Sequence, residues 1–204
     1  MWITVAMSYY GLILINTSIM TLGKSGNVSV HSGSDTEGKC KMLSTDDYKS
    51  LMLTTVGEMV GVPLLVILLL RVGRCRLCFL NFFAASICFT LFLAVQPDQT
   101  RLINMITFTA RMFINSQFGL LYLYTMEVYP TVIRAMAVGC ASSMSRLGAM
   151  ITPYLAQVLI KKTYHGTIGI YIVATAISAI FALFLPIETK GRELKVRLIE
   201  NCLI

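Results

Sequence analysis

The stretch MEVYPTVIRAM, residues 126–136, is one of the few short polar gaps in a very apolar chain. It holds one acid, one proline and one arginine, at Glu127, Pro130 and Arg134. Proline restricts the residue before it and ends the preceding helix, so the gap reads as a tight turn between two apolar helices. Glu127 and Arg134 then stand at opposite ends of that turn. A plain linker has no need of such a pattern, and the segments on either side of it decide the fold.

Those segments are set by composition. Of 204 residues, 56% are hydrophobic and 13% charged, with a formal net charge of +7 and a mean hydropathy of +0.73. Soluble domains carry about a quarter charged residues, and one core of this size cannot hide so much apolar surface. The chain reads as all-α and integral to the membrane. Six stretches are long enough to span, near 2–22, 50–70, 77–96, 102–126, 135–160 and 167–186, since a spanning helix needs about 20 mostly apolar residues. The first lacks the basic n-region and small-residue cleavage site of a secretory signal. The chain thus divides into a span at 1–22, a lumenal or extracellular loop at 23–49, five further spans within 50–186, and a cytoplasmic tail at 187–204. The Gly-, Ser-, Asp- and Lys-rich loop has the composition of a segment with little fixed structure.

Six spans put both chain ends on one side of the bilayer. Lys and Arg number eight on that side and seven on the other, nearly a tie under the positive-inside rule. Arg71, Arg74 and Arg76 are packed into six residues, whereas the long loop spreads its lysines. That loop also holds Asn27-Val28-Ser29, a glycosylation sequon that works only on the lumenal or extracellular face. Both features make the Arg71–Arg76 turn, and with it the chain ends, cytoplasmic. His31 and His165 are isolated, the cysteines imply no pairing within the chain, and no metal site, cofactor loop or nucleophile–base pair is discernible. The expected partners are lipid and a small solute, with no nucleic acid.

A charge at bilayer depth is costly and usually faces a cavity or a partner. Glu58 lies eight to ten residues into its span, or about 12–15 Å at ~1.5 Å per residue. Arg111 lies ten residues past Arg101 on a span that starts from the same face, and Arg146 twelve residues past Arg134 from the opposite face. All three land near the middle of a ~30 Å core. Two readings stand: a structural Glu58–Arg111 ion pair, or a solute-facing role for at least one of the three. Arg111, Asn115, Phe118 and Tyr122 form one polar–aromatic stripe at helical spacing.

The second span carries Glu58 then Pro63, and the fifth Arg146 then Pro153. Pro-interrupted spans in corresponding positions of two groups of three point to a midplane site in a 3+3 inverted repeat. Gly57-x-x-x-Gly61 and Gly139-x-x-x-Ser143 offer small faces for close helix approach.

The polar gaps also carry a family resemblance. Arg71-Val-Gly-Arg74-Cys-Arg76 resembles the D-R-x-G-R-R loop of major facilitator superfamily transporters, Glu127-Val-Tyr-Pro130-Thr-Val-Ile-Arg134 their E-x-x-P-x-x-x-R loop, and Pro186-Ile-Glu188-Thr-Lys190-Gly191-Arg192 their P-E-T-K-G ending. Within that superfamily, Ser8-Tyr9-Tyr10-Gly11, Tyr124-Thr-Met-Glu127-Val-Tyr-Pro130-Thr and Leu185-Pro-Ile-Glu-Thr-Lys-Gly191 resemble the synaptic vesicle 2-related group, and Gly139 to Pro153 also resembles organic ion transporters. The resemblance implies the C-terminal half of a twelve-span fold, here a fragment, a truncated isoform or a half that pairs with a six-span N-terminal partner. It implies that Glu58, Arg111 and Arg146 line a central cavity with Tyr9, Tyr10, Asn115 and Tyr122. It also implies that Arg71, Arg74, Glu127, Arg134 and Glu188 form a cytoplasmic latch. Leu70 departs from the pattern, standing where an aspartate usually opens the arginine loop. Two arginines against one glutamate leave the cavity net positive, which favours an anionic or zwitterionic organic solute, and an anion first. The expected function is a secondary carrier in a vesicle or plasma membrane, not an enzyme; the alternative is a non-transporting vesicle-membrane component with a binding role.

Overall fold

The computed structural model describes residues 1–23, 45–95, 100–159 and 163–185. Helix is the only regular structure among them, in six elements: α1 (Trp2–Gly23), α2 (Thr45–Arg71), α3 (Arg74–Ala94), α4 (Thr100–Val128), α5 (Thr131–Pro153) and α6 (Tyr164–Leu183). A π-helical segment, Tyr154–Leu159, prolongs α5. Every expected span has its helix, and the boundaries shift by a few residues at most. Asn27 and Glu188, most of the 23–49 loop and the whole 187–204 tail lie outside the described residues.

Local chemistry sets the breaks. α4 stops at Val128 and Pro130 occupies the N-cap of α5 with φ −64° and ψ 156°, an extended geometry that proline prefers and a helix cannot continue through. Gly73 does the same before α3 with φ −67° and ψ 153°. Pro153 lacks an amide and its ring crowds the preceding turn, and there the α-helical bonding of α5 gives way to the π segment.

α2, α3 and α6 are long and apolar enough to cross a membrane over Tyr48–Arg71, Arg74–Ala94 and His165–Leu183, and Trp2–Thr17 of α1 is apolar but shorter. α4 and α5 are longer than ~20 residues, yet their sequences are diluted by Arg111, Asn115, Ser116 and Gln117 on one and Ser142, Ser143, Ser145 and Arg146 on the other. Several of these polar residues face inward: Arg111, Ser116, Gln117 and Ser145 are buried. The outward surface is the inverse of a soluble protein, with Met52, Met59, Val66 and Leu70 of α2 and Val132, Met136 and Met150 of α5 exposed. A contiguous apolar exterior of this kind needs lipid or a protein partner.

The principal helix pairings are α3 with α6, α2 with α4, α1 with α5, and α3 with α4. Phe82, Phe89 and Phe92 of α3, Ile114 and Leu120 of α4, Leu12 and Ile15 of α1 and Tyr171 of α6 fill the centre. Small residues set two of the contacts. A Cβ on Gly57 would lie 2.8 Å from the Phe108 carbonyl oxygen, and one on Gly61 2.7 Å from that of Met112, so α2 and α4 touch through their backbones. On α5 the close contact is Gly148, packed onto the Ile3 carbonyl of α1; a Cβ on Gly139 would meet nothing within 4 Å, and Ser143 is exposed. The small face of α5 therefore lies one to two turns beyond the Gly139–Ser143 pair singled out from spacing.

Candidate functional site

The close approach at Gly57 and Gly61 is what brings Glu58 within reach of α4. Arg111 Nη1 donates to Glu58 Oε1 at 2.9 Å and to Thr55 Oγ1 at 3.3 Å. Asn115 Nδ2 donates to the Glu58 carbonyl at 3.1 Å, and Ser116 Oγ to the Gly61 carbonyl at 2.9 Å. From α1, Tyr9 Oη donates to the other carboxylate oxygen, Oε2, at 3.1 Å. Glu58 thus joins three helices and both its oxygens are engaged. The side chains of Arg111 and Glu58 are 7% and 19% exposed, so the pair is largely withdrawn from solvent. Arg111 Nε is buried and has no hydrogen-bond partner among the described residues.

An aromatic run continues from this carboxylate. Tyr10 meets Tyr9 with ring centroids 5.3 Å apart, Tyr9 meets Phe118 at 6.1 Å, Phe118 meets Tyr122 at 5.6 Å, and Tyr122 meets Trp2 edge-on at 4.6 Å. Tyr122 Oη reaches Ser142 Oγ of α5 at 3.4 Å. Tyr9, Asn115 and Tyr122 are half-buried, while Tyr10 is exposed. Trp2, Thr55 and Ser142 belong to this assembly without being among the sequence candidates. Trp2 and Thr55 had a signal: Thr55 lies three residues before Glu58 and Trp2 seven before Tyr9, spacings that put each on the same helix face as its neighbour.

Arg146 stands apart. Its α5 neighbours Ser145, Gly148 and Thr152 are buried, but Arg146 is exposed and makes no hydrogen bond or ion pair with any described residue. The structure therefore brings Glu58, Arg111, Asn115, Tyr9 and the aromatic residues together, and leaves Arg146 out of the network.

At the end of the bundle where α4 turns into α5, Arg74 Nη2 pairs with Glu127 Oε1 at 3.3 Å, with side chains 20% and 19% exposed. Arg134 does not join them; its Nε donates to the Tyr129 carbonyl of its own turn at 3.4 Å. Arg71, exposed, ends α2 at the same level. Beneath this turn lies a mostly apolar cavity of about 500 Å³ between the ends of α1, α4 and α6 and the first half of α5, with Trp2, Tyr124, Thr125, Tyr129, Cys140 and Met144 in its wall. Cys140 is a free, exposed thiol.

Comparison with known proteins agrees with this architecture. Residues 1–200 match the Major Facilitator Superfamily, a superfamily of carriers rather than enzymes. The chain is 38% identical over 199 residues to the synaptic vesicle 2-related protein of Bos taurus, covering 95% of this chain and 36% of that protein. It is 36% identical over 201 residues to the Xenopus laevis protein of the same name, with the same coverage, and 36% identical over 193 residues to svop-1 of Caenorhabditis elegans, covering 95% and 37%. The chain thus spans about a third of the length of the curated relatives it matches. With a match over residues 1–200 and helix as the only regular structure among the described residues, this chain belongs to the major facilitator superfamily.

Proposed function

We propose that this chain is one half of a secondary carrier for a small organic anion. What supports the reading is a charge imbalance among the three residues that residue counting puts near mid-bilayer depth. Glu58 and Arg111 neutralise each other at 2.9 Å, so the remaining charge there is Arg146, exposed and unpaired among the described residues. An arginine so placed is costly in hydrocarbon and reads as the group that meets an anionic solute or an acid on the other half. The Tyr9–Phe118–Tyr122 run offers a wall for the apolar part of such an anion.

The 3+3 inverted repeat is part of this reading. Exchanging α1 with α4 and α2 with α5 turns the α1–α5 contact into the α4–α2 contact, and both are principal pairings of the bundle. Six spans of one carrier half require a complementary six-span half around the shared site. The Arg71–Arg76 turn is assigned to the cytoplasm with both chain ends, and Asn27 to a glycosylated outer loop in a vesicle or plasma membrane. Arg71, Arg74, Glu127, Arg134 and Glu188 are assigned to the latch on the cytoplasmic side.

Uptake of labelled organic anions and cations by cells expressing the gene's complete coding sequence tests the reading. Anion uptake is expected, falling at least about tenfold in Arg146→Gln, the loss of one charged contact of about 1.5–3 kcal/mol, and partly retained in Arg146→Lys. Uptake of cations, or an unaltered rate in Arg146→Gln, overturns it. The second reading, a vesicle-membrane component that binds without transporting, draws on the name of the vertebrate relatives, which states a vesicle kinship and no solute. Anion binding to purified protein without uptake would favour it.

A further inference from the structure

The core of the bundle is not wholly apolar. Ser8 of α1 and Gln117 of α4 are each 1% exposed, and Ser8 Oγ and both carboxamide atoms of Gln117 have no hydrogen-bond partner among the described residues. A buried polar atom left unpaired bears its full desolvation cost, and the hydrocarbon outside a membrane bundle supplies no relief.

These two side chains share one place. Trp2 meets Tyr122 and Tyr9 meets Phe118, so α1 and α4 run in opposite directions. Ser8 and Gln117 directly precede Tyr9 and Phe118, and between antiparallel helices one step back in sequence turns both side chains to the same side of the contact. Exposure agrees: Ser8 and Gln117 are buried, while Tyr10 and Gly119, one step forward, are exposed. On the same faces, about one turn away, Leu12, Ile114 and Leu121 are buried, so the polar pair sits in an otherwise apolar layer. α3 adds a third group. Asn81 is 3% exposed and its Nδ2 has no hydrogen-bond partner among the described residues. Counted from the paired Arg74 and Glu127, Asn81 and Gln117 lie about 10 and 15 Å into the bundle at ~1.5 Å per residue. That is about one helical turn apart. One turn before Ser8, Thr4 Oγ1 accepts from Ser178 Oγ at 2.8 Å, which continues the polar strip toward α6.

Donors and acceptors identify the occupant. Gln117 offers an acceptor and a donor group, Ser8 both in one hydroxyl, and Asn81 Nδ2 a donor. None of the three is charged. A metal cation would meet amide N–H groups there, and an anion would lose its hydration to a neutral site. Water both donates and accepts, and is held where about two to four polar partners converge in the interior.

We propose that Ser8, Gln117 and Asn81 hold an ordered water molecule inside this half, which ties α1, α3 and α4 together. The site is separate from the midplane solute reading and stands or falls without it.

The test uses the full chain in lipid nanodiscs. Gln117→Met and Ser8→Ala each remove a partner of the water and strand the groups that remain. Each is expected to lower the melting temperature by about 2–4 °C, the shift that one lost hydrogen bond gives in a chain of this size. Because both act on one water, the double variant should lose clearly less than the sum. Thr107→Val removes a buried hydroxyl bonded to the Ile103 carbonyl of its own helix at 2.8 Å, and its loss should add to that of Gln117→Met. The parent chain gives a direct measurement: in water-edited solid-state NMR, the Gln117 side-chain amide is expected to draw magnetisation from water in spite of its burial. A melting temperature raised by Gln117→Met, additive losses in the double variant, or a Gln117 amide with no transfer from water would each overturn the proposal, the first by showing stranded polar atoms in a dry core.

Discussion

Replacing Glu58 by Gln leaves the Arg111 guanidinium largely buried beside a neutral amide, and replacing Arg111 by Gln leaves the Glu58 carboxylate in the same position. Removing one partner of a largely desolvated pair costs about 3–5 kcal/mol, while removing both avoids the stranded charge. Glu58→Gln and Arg111→Gln are each expected to lower stability by that order, and the double variant by clearly less than the two together. Reversible denaturant unfolding in detergent measures the three, and additive losses would show that the two charges are not coupled. Tyr9→Phe removes one hydrogen bond to a charged acceptor and should cost about 1.5–3 kcal/mol by the same measurement. The depths of Glu58 and Arg111 were legible in the sequence because helical rise is fixed, so counting residues from the nearest loop places each charge. That Tyr9 would close the other side of the carboxylate was not legible. Its contact with Glu58 spans 49 residues and a long loop, and no periodicity carries information across that distance.

For the helices, the turn at Pro130 and the break at Pro153 follow from proline's missing amide wherever it falls, which is why the ends of α4 and α5 could be read directly. Close helix contacts are a different matter. A small residue permits close approach, but which small residue is used depends on what lies opposite. Gly57 and Gly61 face the Phe108 and Met112 backbone, whereas Gly139 faces open space and Gly148 takes the contact with Ile3. Gly61→Ala and Gly148→Ala are therefore expected to cost about 1–3 kcal/mol each, the range for overpacking a contact whose neighbours are backbone and cannot move aside. Gly11→Ala belongs with them, since its Cβ would lie 2.5 Å from the buried Tyr171 hydroxyl. Gly139→Ala should leave the melting temperature in place or raise it slightly, because alanine is the better helix former by about 1 kcal/mol. Thermal melts of the four variants rank them, and a loss at Gly139 as large as at Gly148 would contradict the packing.

At the scale of the whole molecule, the question is whether the Arg74–Glu127 contact restrains a moving end of the bundle or merely decorates it. The pair is about a fifth exposed on each side, and partly solvated pairs contribute only ~0–1 kcal/mol, too little to hold a fold but enough to shift an equilibrium between two conformations severalfold. Its position matters more than its strength. It joins the start of α3 to the end of α4, and Glu127 directly precedes Val128 in the wall of the cavity that contains Cys140. If the pair helps to keep that end closed, breaking it should raise access to the cavity without changing stability appreciably. Cys140 is already a free, exposed thiol in the wall, so a version of the chain in which it is the sole cysteine reports access through its rate of modification by a membrane-impermeant maleimide. Glu127→Gln is expected to raise that rate by about two- to fivefold, the shift that ~0.4–1 kcal/mol produces. Arg74→Gln should do the same, because each change removes the Arg74–Glu127 contact. Identical rates in the parent and both variants would assign Arg74 and Glu127 to surface solvation and leave any gating of the superfamily fold to other residues.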